Sequence, residues 1–343
     1  MRFIKIMKRV IVFFIVFLPL SFFHPALVWE GNSSVKAQDR NEMAQFQTLI
    51  AQQMELVYNA PTDNERYHAS EAASQLFDEA LRTEDSFKWQ WDFGSRVSVL
   101  TSKDRRFKII TWPVVRDDGE YECFGFVQSY NEEEEVYDVF ELHDKSDEIV
   151  NREESVLGPD NWLGAVYQEL IQSSHEGKTY YTLLGWTGVD NLTQRKVIEP
   201  ITFKHNSSRP QFGQALFRRE RNLRRVVLEY SKSAMVNLRY ENQFVRTVEN
   251  KRIKKKGSKR PILVQENHDS RQLMILFDEV APQIPGMEGL FQYYVPTGTE
   301  LAYVFTNGRW DLRDNAQGRV DDERLNKPFA PIEKSAPVYT IPK

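Results

Sequence analysis

The chain has 343 residues, 41% of them hydrophobic and 27% charged, with a formal net charge of −4. That balance excludes a chain too polar to build a core, and it disfavours a general polyanion binder; the length suits one large domain or two ordinary ones. The single cysteine, Cys123, excludes an internal disulfide and a lipid-modified leader, so the fold must stand on its core.

Arg2, Lys5, Lys8 and Arg9 precede an apolar run from Val10 to Phe23, and the polar stretch after it ends in the small-residue cleavage pattern Val35-Lys36-Ala37. Residues 1–37 are therefore expected to be a signal peptide, which places the protein in the periplasm or cell envelope. The alternative is an inner-membrane anchor, because the apolar character continues past Pro25 to Trp29. The leader holds five of the 45 basic residues and one of the 49 acidic ones, which leaves the rest of the chain at −8.

Residues 38–85 read as a helical segment. Met43, Phe46, Ile50, Met54 and Val57 recur at helical spacing before Pro61, and Ala69, Ala73, Leu76, Phe77 and Ala80 repeat the pattern between Glu65 and Leu81. A hairpin packed on the body by these stripes is expected.

Residues 86–318 read as a β-rich body. Arg96 to Leu100 and Phe107 to Trp112 flank the polar turn Ser102-Lys103-Asp104-Arg105, and Asp117-Asp118-Gly119 leads into Tyr121 to Tyr130. The acidic turn Glu132 to Glu135 then joins that strand to Val136 to Phe140. One helix is expected from Pro159 to Ile171, with Leu163, Val166, Tyr167, Leu170 and Ile171 on one face and His175-Glu176-Gly177 ending it. Strand signals resume at Tyr180–Trp186, Lys196–Phe203, Arg225–Tyr230, Ala234–Tyr240, Leu273–Val280, Gly289–Val295, Leu301–Thr306 and Trp310–Arg313. In residues 319–343, Pro328, Pro331, Pro337 and Pro342 oppose regular structure and mark a strap or tail.

The fold class expected is α+β, predominantly antiparallel β with an N-terminal helical hairpin. An irregular β-propeller-like arrangement is the alternative, because the first meander has the Asp-containing turn and closing Trp of a blade. Unequal spacing between the strand groups near residues 96, 178, 225 and 272 argues against a regular repeat.

Ser102-Lys103-Asp104, Phe107 to Trp112 and Phe126 to Tyr130, together with Tyr180 to Trp186, Ile275 to Pro282 and Tyr293 to Pro296, resemble an uncharacterised family of exported proteins from Bacteroidetes. The resemblance implies export and β architecture. It implies no activity and no site.

No local pattern names a reaction. Cys123 lies inside a strand pattern with no neighbouring base, G-x-S-x-G is absent, and Ser231-Lys232-Ser233 reads as a turn. The histidines are scattered; His143 with Asp144 and Asp147 is the best local cluster, and Asp311, Asp314, Asp321, Asp322 and Glu323 do not match a calcium loop. No metal or cofactor is expected. Aromatic faces stack on sugar rings, and Trp89 and Trp91 lie two apart, hence on one face if extended; a core or strand-pair role is favoured.

Two basic clusters oppose the acidic mean. Arg218, Arg219, Arg221, Arg224 and Arg225 lead into a strand, while Lys251, Arg252, Lys254, Lys255, Lys256, Lys259 and Arg260 surround a hairpin loop. The second is the candidate contact with an anionic surface, through peripheral membrane association or another envelope component. Nucleic acid is not expected as a partner. The function expected is that of a non-catalytic envelope binding or interaction protein; the alternative is a hydrolase, for example glycan-directed, whose acidic residues converge only in the fold.

Overall fold

The computed structural model describes residues 31–218, 222–253 and 262–313. Two antiparallel helices open it, α1 (Gly31–Asn59) and α2 (Asp63–Leu81). The chain reverses at Thr62, whose hydroxyl accepts the Glu65 N–H at 3.3 Å while the Glu65 carboxylate accepts the Thr62 N–H at 3.3 Å. This reciprocal cap satisfies two of the donors that a helix start leaves unpaired.

Among the described residues, thirteen strands follow in three antiparallel sheets. The first sheet is the meander β1 (Ser98–Thr101), β2 (Phe107–Val115), β3 (Tyr121–Asn131) and β4 (Val136–His143). The second holds β5 (Val166–His175), β6 (Lys178–Gly188), β7 (Thr193–Phe203) and β8 (Pro210–Phe212), with β9 (Val226–Ser231) also paired to β7. The third is β10 (Leu238–Ile253), β11 (Ile262–Pro282), β12 (Tyr294–Thr306) and β13 (Arg309–Arg313). Among the described residues the sheets form no closed barrel or propeller.

Side-chain alternation stacks these layers. Ile110, Trp112, Val114 and Phe126 on one face of the first sheet meet Ile50, Met54, Ala73 and Phe77 of the helices. Small residues on α2 let it approach closely enough for the Trp112 indole N–H to reach Ser70 Oγ at 3.0 Å. The opposite face, with Phe107, Ile109 and Val127, packs on Tyr181, Leu183, Val197 and Ile201 of the second sheet. That sheet turns Leu184, Ile198 and Leu228 toward Ile275, Phe277, Tyr303 and Trp310 of the third. The middle sheet is thus buried on both sides, and residues 197–201 of β7 are buried without interruption, Glu199 included. Each large side chain buried this way contributes about 1.5–3 kcal/mol.

The helix expected over Pro159–Ile171 is not formed. Only Pro159–Asn161 makes a 3-10 turn, and β5 begins at Val166. A bulge between Tyr167 and Glu169 shifts the register, so that Tyr167 and Leu170 face the same core at a spacing of three while Ile171 faces the other. A bulged strand buried on both sides imitates helical periodicity.

Three strand boundaries also differ. Residues 234–237 are irregular, with the Asn237 N–H donating to Asp278 at 2.7 Å, and β10 starts only at Leu238. The segments expected at Gly289–Val295 and Leu301–Thr306 are a 3-10 turn, Phe291–Tyr293, followed by the single strand β12. Strands β10 and β11 extend well past the expected segments. They pair from Leu238↔Phe277 to Ile253↔Ile262, whereas β12 pairs with β11 only from Met274 onward. The unaccompanied part, residues 262–273 of β11 with their β10 partners, is a two-stranded ribbon of roughly 40 Å by strand rise. The leader before Gly31 and the tail from residue 319 lie outside the described residues; the expected cleavage pattern Val35–Ala37 falls within α1.

Candidate ligand-binding cleft

Hairpin turns from the first two sheets gather at one end of their stack and enclose a cleft of about 580 Å³. The β1–β2 turn supplies Asp104, Arg105 and Arg106, and the β3–β4 hairpin supplies Tyr130, Glu132 and Tyr137. The β5–β6 hairpin supplies Lys178, Tyr180 and Tyr181, and the loop after β7 supplies Phe203, Lys204, His205 and Asn206. Antiparallel meanders return to the same end at every second turn, so residues far apart in sequence meet there.

The aromatic walls are fixed from behind. Tyr130 and Tyr137 lie 5.2 Å apart between ring centroids, and Phe203 lies 5.3 Å from the buried Phe107 ring. The Tyr181 hydroxyl donates to Asp104 Oδ2, and burial, followed by that carboxylate, raises its pKa. The Arg106 guanidinium lies 5.2 Å over the Phe203 ring, and Lys178 lies 5.1 Å over Tyr180. Cations over ring faces and rings braced on core aromatics give walls of defined shape.

Charge is unevenly committed. Asp104 also accepts the Arg106 backbone N–H at 3.2 Å, and Glu132 accepts the Arg106 guanidinium at 3.0 Å. The exposed Arg105, Lys178 and Lys204 side chains have neither ion pair nor side-chain hydrogen bond among the described residues. The cleft therefore presents uncommitted positive charge beside stacked tyrosines, although the chain as a whole is acidic.

A second cavity, of about 430 Å³, lies against the first. It is lined by Phe87, Trp89, Trp91, Val99 and Lys108, and it shares Arg105. Lys108 is 2% exposed, and its Nζ donates to the backbone carbonyls of Phe87 at 2.8 Å and Trp89 at 3.0 Å, anchoring that segment to β2. Burial lowers its pKa to about 8.

Those of the candidate residues singled out in the sequence that are described do not line the first cleft. Lys251 and Arg252 pair through their backbones with Val264 and Leu263, on the strand rather than in the loop, whereas Lys254, Lys255, Lys256, Lys259 and Arg260 lie outside the described residues. Of the first basic cluster, Arg225 is in the core beside Glu199 and Arg218 pairs with Asp311; Arg219 and Arg221 lie outside the described residues. His143 is exposed, while Asp144 turns inward and accepts the Cys123 and Ser146 N–H groups at 2.9 and 3.0 Å. Among the described residues no group of three or more His, Cys, Asp or Glu side chains has the arrangement of a metal site. Trp91 is in the helix-side core, and Trp89 is half-buried with its indole N–H on Gln47 at 3.0 Å.

The cleft residues left one weak trace in the sequence, the repeated occurrence of tyrosine and a cation beside hairpin turns. No family model, no curated protein and no solved structure matches this chain.

Proposed function

We propose that this is an exported, non-catalytic binding protein of the cell envelope, and that its ligand is an anion held in the cleft between the turns of the first two sheets. The observation that carries the reading is the commitment of Asp104 and Glu132 to Tyr181 and Arg106, which leaves Arg105, Lys178 and Lys204 to a ligand. Half-buried Tyr130 and Tyr137 line the cleft beside these cations and supply its aromatic surface. Export is supported by the charged and apolar leader and by the resemblance to exported proteins of Bacteroidetes.

Affinity electrophoresis through gels containing an acidic polysaccharide, polygalacturonate, tests the binding. The wild type is expected to be retarded at low salt and released as salt rises, while the double variant Lys178→Ala, Lys204→Ala runs unretarded. Equal retardation of both proteins would place binding elsewhere, and release of reducing ends would make the protein an enzyme.

A second reading, hydrolysis, rests on a different site. Glu120, Glu122, Asp144, Asp147 and Glu148 converge with Tyr67 on a polar cleft of about 220 Å³, and burial raises the pKa of Asp144. Both Asp144 oxygens already accept backbone N–H groups, which gives this carboxylate an evident structural duty. Turnover of a glycan lost in Asp144→Asn with unchanged melting would favour this reading over the first.

A further inference from the structure

Resting on that reading of the cleft, we infer that the ligand is a chain of anionic rings, an acidic oligosaccharide, and that it crosses Arg105 to place a second unit against Trp89. The two cavities are contiguous at Arg105, which lines both. They also share a wall, because Phe87 of the second stacks on Tyr137 of the first with ring centroids 3.9 Å apart and planes within 10°. A ligand long enough to occupy both would pass over a cation at the midpoint of its path.

The position of that cation is held against backbone preference. Arg105 has φ of 59°, in the left-handed region that non-glycine residues seldom adopt. Its N–H donates to the Ser102 carbonyl at 2.9 Å, and its carbonyl accepts the Tyr137 hydroxyl at 3.1 Å. Asp85, Glu135, Glu176, Asn206 and Asn307 share this conformation at other turns; at Arg105 the two hydrogen bonds fix the turn at the junction of the two cavities.

The lining selects the chemistry. Aromatic faces stack on the C–H faces of sugar rings, and cations pair with their carboxylates. Asp104 and Glu132 are acceptor-only groups, with oxygen lone pairs left over after their internal partners. Sugar hydroxyls supply donors to them, whereas the phosphodiester groups of a nucleic acid supply none and are repelled.

Calorimetric titration of the full chain with mono-, di-, tetra- and hexagalacturonate tests the inference. For the wild type, affinity should rise about tenfold or more between the monomer and the tetramer and then level off, because the second unit binds as a tethered partner of the first. Trp89→Ala should abolish the rise while leaving the monomer affinity unchanged, and Trp89→Phe should restore most of it, with thermal melting confirming that each variant is folded. Length-independent affinity, or an undiminished rise in Trp89→Ala, would overturn the second subsite and leave the first cleft standing. Binding of neutral tetragalactose or of an oligothymidylate in place of the uronates would overturn the ligand class. Failure of all of these to bind would overturn the binding cleft itself together with this inference.

Discussion

Phe87 and Tyr137 stack face to face, 3.9 Å between centroids, although one lies in the segment after the helices and the other on β4. The contact ties the helical layer to the turn end of the first sheet and so sets the spacing of the two cavities. A double-mutant cycle of Phe87→Leu and Tyr137→Leu is expected to give a coupling of about 0.5–1.5 kcal/mol in urea denaturation, beyond the loss of buried area. Additive single effects would show that the rings are neighbours without mutual stabilisation.

Arg225 and Glu199 form an ion pair with no solvent exposure, its Nε···Oε1 distance 2.5 Å. Tyr167 donates to the second Glu199 oxygen, and Trp162 donates to Tyr167 at 2.9 Å. Glu199→Leu should cost about 3–5 kcal/mol, since the guanidinium is then left buried without its counter-charge. The double variant Glu199→Leu, Arg225→Met should recover much of that loss. A single variant as stable as the wild type would contradict the assignment of this network to the core.

Lys108 gives a pH dependence of definite sign. Its folded pKa, about 8, lies below the ordinary 10.5, so the folded state carries the cost of a buried ammonium below pH 8. Between those values the unfolded chain keeps a proton that the folded chain has lost, and stability contributed by this group rises with pH. The free energy of the wild type relative to Lys108→Met should therefore improve by up to about 3 kcal/mol from pH 7 to pH 10.5, as read by urea denaturation. An unchanged difference would show that the carbonyls of Phe87 and Trp89 hold the charged form fully.

Cys123 is 1% exposed, with its sulfur 3.4 Å from Thr187 Oγ1, and burial pushes the thiol pKa up. The thiol should resist an aromatic disulfide reagent in the folded protein and react at once in urea. Cys123→Ala should bind ligand as the wild type does, with a packing loss of about 1 kcal/mol. Rapid native reaction would mark the residue as a reactive thiol after all.

Trp91 is 8% exposed, and its indole N–H has no hydrogen-bond partner among the described residues. A buried unpaired donor costs roughly 1–3 kcal/mol, so Trp91→Phe, which keeps the contacts with Phe77 and Phe93, should cost far less than an ordinary core truncation. Thermal melting measures this directly; a large drop would mean that the indole ring volume outweighs its unpaired nitrogen.

Much of the fold was legible because its signals are local. The stripe of Ala69, Ala73, Phe77 and Ala80 specifies a helix face, and Asp117-Asp118-Gly119, with Gly119 at φ of 84°, specifies the β2–β3 turn. The helix wrongly expected at Pro159–Ile171 shows where local periodicity fails, since the bulge after Tyr167 reproduces a spacing of three without a helix. The cleft was not legible. Arg105, Tyr137, Lys178 and Lys204 stand on separate turns and meet only because successive meanders return to one end. Charge counting pointed to the clustered cations from Lys251 to Arg260, most of which lie outside the described residues; the cleft gathers dispersed cations that no count of neighbours in sequence brings out, and Arg225, a member of the other cluster, is in the core.

Arg105 is the one side chain common to both cavities, so its removal is the most direct test of the account. Calorimetric titration of tetragalacturonate into the wild type and Arg105→Ala is expected to show an affinity loss of about tenfold or more, the effect of one charge-assisted contact, with the melting temperature unchanged. Equal affinity in the two proteins would contradict the claim that the ligand lies across Arg105.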